Sequence, residues 1–330
     1  MMDILSTAAH ANNFPQRPVV ETTEAQVGVT PLFVGDGIIL DPQADLYQQA
    51  DQAFQQLGYE VATESFRENI ISSDLGKIED QRRDNVRGLR SSRDKLNQLP
   101  KYIAESVEDG RAHIQGLNDL IDNIHSGYQK KYGEVIKATT TYMQDVNTAI
   151  GKMSNYVEAG SDGKIYFKPE AFLISIDNSI SKYSGNQFSG SGPGAYFGNW
   201  KPNLSNATPL ITIQGNQQEY LFWEKKLAGQ GFIVEKVNGN IKIYPDFKPI
   251  KEIFSSIANS PAKWDGSDMM TQSFQSLQTA IDGQKNTINS SVSRLLETFR
   301  QDNSHFETLV QLLIQLIKDL HQNNNGLINM

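Results

Sequence analysis

Apolar residues recur at every seventh position along two long stretches of the chain. The first stretch carries Ile114, Ile121, Tyr128, Val135, Tyr142, Ala149 and Tyr156. Its companion column begins as Leu117 and Ile124, then moves on by one place to Tyr132, Thr139, Val146 and Met153. A one-place slip is what a nearly straight helix of 3.6 residues per turn does to a seven-residue repeat. The second stretch carries Phe274, Ile281, Ile288, Leu295, Asp302, Leu309 and Leu316 in one column, and Val292, Phe299, Phe306, Leu313 and Leu320 in the other. Paired apolar columns sustained over several heptads predict two helices that bury their stripes against each other. At 1.5 Å per residue each is roughly 60–80 Å long. The second is interrupted once, by Arg300, Gln301, Asp302, Asn303, Ser304 and His305 in a row, with Asp302 in the apolar column itself.

Shorter patterns flank and separate these helices. Residues 1–40 show no sustained period and read as disordered, despite the apolar stretch Gly37-Ile38-Ile39-Leu40. Removing them is expected to leave the fold unchanged. Helical spacing starts at Asp45, with Leu46, Ala50, Phe54 and Leu57, and stops at Gly58. A second helix is predicted from Thr63 to Leu99, through Phe66, Ile70, Leu75, Ile78, Val86, Leu89 and Leu96, with Pro100 as its stop. Together they make a helical hairpin whose apolar stripes need the long helices as a partner.

Residues 159–263 change character. "DGKIYF" and "LITI" read as strands, while "KPEAFLISIDNSISKY", "QQEYLFWEKKLAGQG" and "FKPIKEIFSSI" read as helices. The alternating segments of "FIVEKVNGNIKIYP" meet at Asn238-Gly239, a strong hairpin signal. Residues 184–209 read as a long mobile loop. The fold predicted is mainly α: a long antiparallel central coiled coil with an N-terminal helical hairpin and a small inserted α/β module. The boundaries are 1–40 for the disordered export segment, 41–100 for the hairpin, 101–158 and 264–322 for the two coiled-coil helices, 159–263 for the insert and 323–330 for a tail. The seam is assigned to Ile121, Tyr128, Val135 and Tyr142 on one side, and to Ile281, Ile288, Val292, Leu295, Phe299, Phe306, Leu309 and Leu313 on the other.

Charge and composition narrow the function. The net charge of −8 argues against a nucleic-acid or anionic-membrane partner. The absence of cysteine excludes disulfides, thiolate metal sites and cysteine nucleophiles. No apolar run is long enough to span a bilayer. The start "MMDILSTAAHANNFPQRP" has neither a basic region nor a long apolar core, so it does not read as a general secretory signal. Gly190, Gly192 and Gly194 lack the spacing of a phosphate loop, and the five histidines never stand at metal-ligand spacing. No enzyme, cofactor or metal site is expected.

The polar interruption admits two readings on spacing alone. A polar residue in a core column sets register or partner choice at the expense of stability; alternatively, it marks where the helices splay and admit water. Periodicity also implies that Asp302→Leu improves packing.

At this interruption the chain resembles the needle-tip proteins of bacterial type III secretion systems, of the IpaD/SipD/BipD type. Those end in a G-Q-K pattern, a heptad run and Y-S-x-x-N-S-x-F-D-N-L-V-K-V-L. The matching residues are Gly283-Gln284-Lys285, then Phe299, Asn303-Ser304, Phe306-Glu307, Leu309-Val310 and Leu313. "YGEVIKATTTYMQDVNTAIGKMSNYV" and "WEKKLAGQGFIVEKVNGNIKIYPDFKPI" are similar to the family's Tyr-rich helix and helix–hairpin–helix insert. The chain departs at Phe274-Gln275-Ser276-Leu277, where the family has Y-Q-A-W, and at Gln311, where it has Lys.

The resemblance implies a secreted, non-enzymatic protein at the bacterial surface that caps the secretion needle, senses host contact and helps recruit translocator proteins. It implies as partners the needle filament protein, translocators, further copies at the tip and a small amphipathic host molecule such as a bile salt. It makes the N-terminal hairpin a built-in chaperone. It makes Asp302, Asn303, Ser304, His305 and Gln311 the needle- or partner-binding residues. A second class stays open, that of a secreted helical effector or pore-associated translocator acting on host proteins or membranes, although translocators generally carry a long apolar segment.

Overall fold

A helix of 58 residues, Thr271–Ile328, organises the computed structural model of the chain. The structure describes residues 32–33, 37–61, 70–99, 101 and 112–328. In chain order the helices are α1 (Leu46–Gln56), α2 (Leu75–Leu96), α3 (Ala112–Ile124), α4 (Lys130–Gly151), α5 (Pro169–Ser184), α6 (Pro193–Gly198), α7 (Gln217–Leu227), α8 (Lys248–Ala258) and α9 (Thr271–Ile328). The strands are β1 (Leu32–Phe33), β2 (Ile39–Leu40), β3 (Val157–Ala159), β4 (Ile165–Phe167), β5 (Ile211–Gln214), β6 (Phe232–Val237), β7 (Asn240–Pro245) and β8 (Ser267–Met269). The fold is mainly α, with a long C-terminal helix and small antiparallel sheets.

One flank of α9 meets α3 and α4 in the opposite sense, since Asn147 bonds Asn289 and Tyr132 bonds Asp302. All the side chains assigned above to the seam, from Ile121 to Tyr142 and from Ile281 to Leu313, are buried. Between α3 and α4 the helix takes a π-helical turn at His125–Gln129. This turn corrects the explanation given above for the column slip between Ile124 and Tyr132. One extra residue is accommodated there by a wider turn, so the stripe resumes in register without gradual drift.

The other flank of α9 takes the N-terminal helices. Asp45 caps α1 with a reciprocal bond to Gln48, and Gly58 ends it at φ 85°. Tyr47 contacts Asp302 and Asp51 contacts His305, so α1 runs in the same sense as α9. The same holds for α2, where Gln81, Asn85, Ser92 and Lys95 face Ser293, Leu296, Asn303 and Glu307 in turn. α1 and α2 therefore run in the same sense as each other. The helix expected from Thr63 begins at Leu75, because Asp74 caps it and Ser72 and Ser73 bond Ser293 and Asn289. Positions 62–69, with Phe66, lie outside the described residues, as do positions 102–111. Ile70, Leu75 and Val86, expected in the buried stripe, are exposed. Polar Asn85 and Ser92 are buried instead.

The insert rests on two sheets. The order β5-β7-β6 is antiparallel, and Asn238 (φ 51°) and Gly239 (φ 76°) form its hairpin turn. The other sheet, β3-β4-β8, pairs Ile165 with Met269, so residues expected in the last long helix form a strand and α9 starts at Thr271. Residues 184–209 are corrected from a structureless loop to a packed one. Asp177 has its side chain fully buried and accepts from Phe188 N at 2.6 Å, from Tyr196 Oη and from Trp200 Nε1 at 3.1 Å. Phe197 and Trp200 pack their rings on Phe254 of α8.

The span 1–40 also needs correction at its end. Leu32–Phe33 pairs with Ile39–Leu40, and Gln56 bonds Ile39 through both its amide groups. Ile38 and Leu40 are buried in the core that α1 covers. Leu40 is 2% exposed, so Leu40→Ala is expected to lose about 2–5 kcal/mol of stability in a denaturant melt. An unchanged midpoint would contradict this packing.

Candidate functional site: the polar interruption of the long helix

Midway along α9 the apolar stripe gives way to Asp302 and Asn303, which are 8% and 7% exposed. Each faces a different element. The Asp302 carboxylate accepts from the Tyr132 hydroxyl at 2.5 Å and pairs with Lys226 of α7 at 2.6 Å. Its backbone carbonyl accepts from the Tyr47 hydroxyl at 3.3 Å, and Gln129 Nε2 donates to that same hydroxyl at 2.8 Å. Gln129 is turned inward by the π-helical turn and is fully buried. Burial, then the Asp302 charge, pushes the Tyr132 and Tyr47 hydroxyls well above their usual range. Both therefore remain protonated and act as donors.

An aromatic cluster surrounds this polar centre. Tyr128 stacks on Phe222 of α7 with ring centroids 3.8 Å apart and planes within 4°. Tyr47 stacks on Tyr128 and on His305. His305 Nε2 lies 2.7 Å from Asp51 Oδ1 of α1. His125, on the π-helical turn, sits beside Phe306, and burial lowers its pKa so that the neutral ring is favoured.

Asn303 faces the opposite way, onto α2. The Ser92 hydroxyl lies 2.9 Å from Asn303 Oδ1 and 3.1 Å from Glu307 Oε1, and Lys95 pairs with Glu307 at 2.7 Å. Gly88 lets the helices approach, because a Cβ there would come within 2.8 Å of Asn303 Nδ2. The structure thus brings Asp302, Asn303 and His305 into one clasp joining α1, α2, α4 and α7 to α9. Ser304 is half-buried on the same turn, its carbonyl accepting from Thr308. Gln311 is exposed and lies beyond the clasp.

Sequence reasoning missed the partners. Tyr132 was placed only as a core position, and Tyr47, Lys226, Ser92, Lys95 and Asp51 carried no local signal, since they come from elements far away in the chain. In the clasp Asp302 is paired with Lys226 and Tyr132, Glu307 with Lys95, and Asp51 with His305. Among the described residues no group of His, Asp and Glu side chains converges as a metal site, and no helix is long and apolar enough to cross a membrane.

No protein-family model matches the chain. In sequence it is 25% identical over 207 residues to the translocator protein BipD of Burkholderia mallei and of Burkholderia pseudomallei, a match covering 63% of this chain and 55% of the relative. The same protein of Burkholderia thailandensis is 25% identical over 209 residues. The chain spans about half the length of the curated relatives it matches. Among solved structures it is similar to BipD of Burkholderia pseudomallei, with a TM-score of 0.53 and 19% identity over 86% of this chain and 95% of the other. A near-atomic structure of BipD, described as a component of the type III secretion system of that organism, gives a TM-score of 0.54 at 20% identity. The likeness to the IpaD/SipD/BipD type therefore holds in sequence and in fold.

The clasp reverses the effect that periodicity implies for Asp302→Leu. Leucine would leave the Tyr132 hydroxyl buried without an acceptor and Lys226 without its counter-ion. The variant is expected to be about 2–4 kcal/mol less stable in chemical denaturation. A gain in stability would restore the apolar reading.

Proposed function

We propose that the protein is a non-enzymatic type III secretion needle-tip protein, exported to the bacterial surface, where it caps the needle and helps recruit translocator proteins on host contact. The sequence likeness to BipD carries this reading, and the shared fold supports it. In this reading the needle filament protein, the translocators and further copies at the tip are the partners. The residues that meet them are Asp302, Asn303, Ser304, His305 and Gln311 of α9, and a small amphipathic host molecule such as a bile salt is a further partner.

The geometry adds how such a surface is held back before assembly. Ser304, His305 and Gln311 keep some exposure, whereas Asn303 is covered by α2, and Asp302 by α1 at its carbonyl and by α4 and α7 at its carboxylate. The α2 face is joined to α9 through amides, hydroxyls and one ion pair, set between the buried apolar side chains Ile78 and Leu96 near its ends. Water or a partner replaces such bonds at little net cost, unlike an apolar seam. Lifting α1 and α2 then presents a ready polar strip on a helix whose other flank stays packed.

Two measurements test this. Antibody labelling of needles from secreting bacteria is expected to mark their ends, and label elsewhere would favour an effector. The chain has no cysteine, so Gly88→Cys with Asn303→Cys introduces a unique pair at the close approach of α2 and α9. Oxidised, this variant is expected to cap far fewer needle ends than the same variant reduced, with Asn303→Cys alone as the reference for the loss of the amide. Equal capping by the oxidised and reduced forms would show that α2 does not lift.

A further inference from the structure

Between the turn at Gly229–Gly231, the start of α8 and the middle of α9 lies an open cleft of about 690 Å³. That volume is in the range of small-molecule sites. Its charges balance, Lys248 and Arg294 standing against Asp246 and Glu252. Gln284, Asn286, Thr287 and Ser290 of α9 add amides and hydroxyls, and Pro249 is the one apolar side chain on the wall.

Behind the cleft, and sharing Gly231, Asp246, Pro249 and Ser291 with it, is an inner pocket of about 10 Å³, room for one water. Its apolar lining, Phe232, Ile288 and Val292, faces only this recess. Tyr142 also lines it, is 2% exposed, and has a hydroxyl with no hydrogen-bond partner in the protein. Burial raises its pKa, so it remains a donor, on the wall of a recess that shares lining residues with the cleft.

Gly283 is a second, independent sign. Glycine weakens a helix interior, and a Cβ at Gly283 would meet nothing within 4 Å. Packing therefore does not require glycine there; what its bareness does is widen the cleft floor. Gly231, at φ 100°, closes the end wall where any side chain would collide with Ser291.

We infer that this cleft is a binding site for a neutral saccharide. A strongly anionic ligand meets Asp246 and Glu252, and a cationic one meets Lys248 and Arg294. A steroid-like amphipath needs a row of apolar side chains, and Pro249 is the one apolar side chain among the lining residues of the open cleft. Sugar hydroxyls both donate and accept, matching planar amides, carboxylates and a guanidinium, and the inner recess offers the Tyr142 hydroxyl through one bridging water. The inference does not depend on the needle-tip reading.

The test is amide NMR of the full chain titrated with maltose, lactose and N,N′-diacetylchitobiose, with deoxycholate in parallel. At least one disaccharide is expected to shift the amides of Gly229–Gly231 and Gly283–Arg294. Gly283→Phe fills the cleft from a position with open space, so it should weaken binding by about tenfold or more while the melting temperature holds or rises. Tyr142→Phe, which removes an unpartnered hydroxyl, should also weaken binding and leave the melt unchanged. The inference is overturned if none of the disaccharides shifts these amides, if the shifts survive Gly283→Phe, or if deoxycholate alone moves them.

Discussion

A carboxylate set into the apolar seam of a long helix has to be matched where it stands, because an unpaired buried charge costs far more than any single packing contact returns. Asp302 meets this demand with a cation from α7, a phenol from α4 and, through its carbonyl, a phenol from α1. The π-helical turn belongs to the same solution. By widening one turn it rotates Gln129 towards the Tyr47 hydroxyl while keeping Ile121 and Tyr132 on the buried face. Helix ends, insert and N-terminal segment are thereby tied to one point on α9.

The two flanks of α9 differ in kind. Against α3 and α4 it buries Phe299, Phe306, Leu309 and Leu313, an interface that opens only at the cost of exposing apolar area. Against α2 the facing side chains are Gln81, Asn85, Ser92 and Lys95, with Gly88 at the crossing. Hydrogen bonds to water replace those contacts with little net loss, so this flank suits exchange with another molecule. The same residues that make α2 a poor core helix make it a suitable cover.

What could be read directly from the residues is what local chemistry dictates. The heptad columns, the Asn238-Gly239 turn, the Asp45 start and the Gly58 stop of α1, and Pro169 in the first turn of α5 all rest on neighbours within a turn or two. The interruption at Asp302 was legible as a broken rule, but its resolution was not, since Lys226, Tyr132, Ser92 and Tyr47 arrive from four separate elements. Apolar spacing misled for Ile70, which stands before the start of α2, and for Val86, because α2 turns Asn85 and Ser92 inward beside Ile78 and Leu96. The packing of 184–209 was hidden for a related reason: Gly- and Asn-rich sequence signals a loop, while the long-range bonds of Asp177 to Tyr196 and Trp200 hold that loop against α5 and α8.

The central claim is that Asp302 is an internal organiser and not a solvated defect. A double-mutant cycle between Asp302→Asn and Lys226→Met, followed by chemical denaturation, tests it most directly. The clasp predicts a coupling of about 1–3 kcal/mol, with the second substitution much less damaging once the first is present. Fully additive losses would mean that the two side chains do not meet in solution, and would contradict the account.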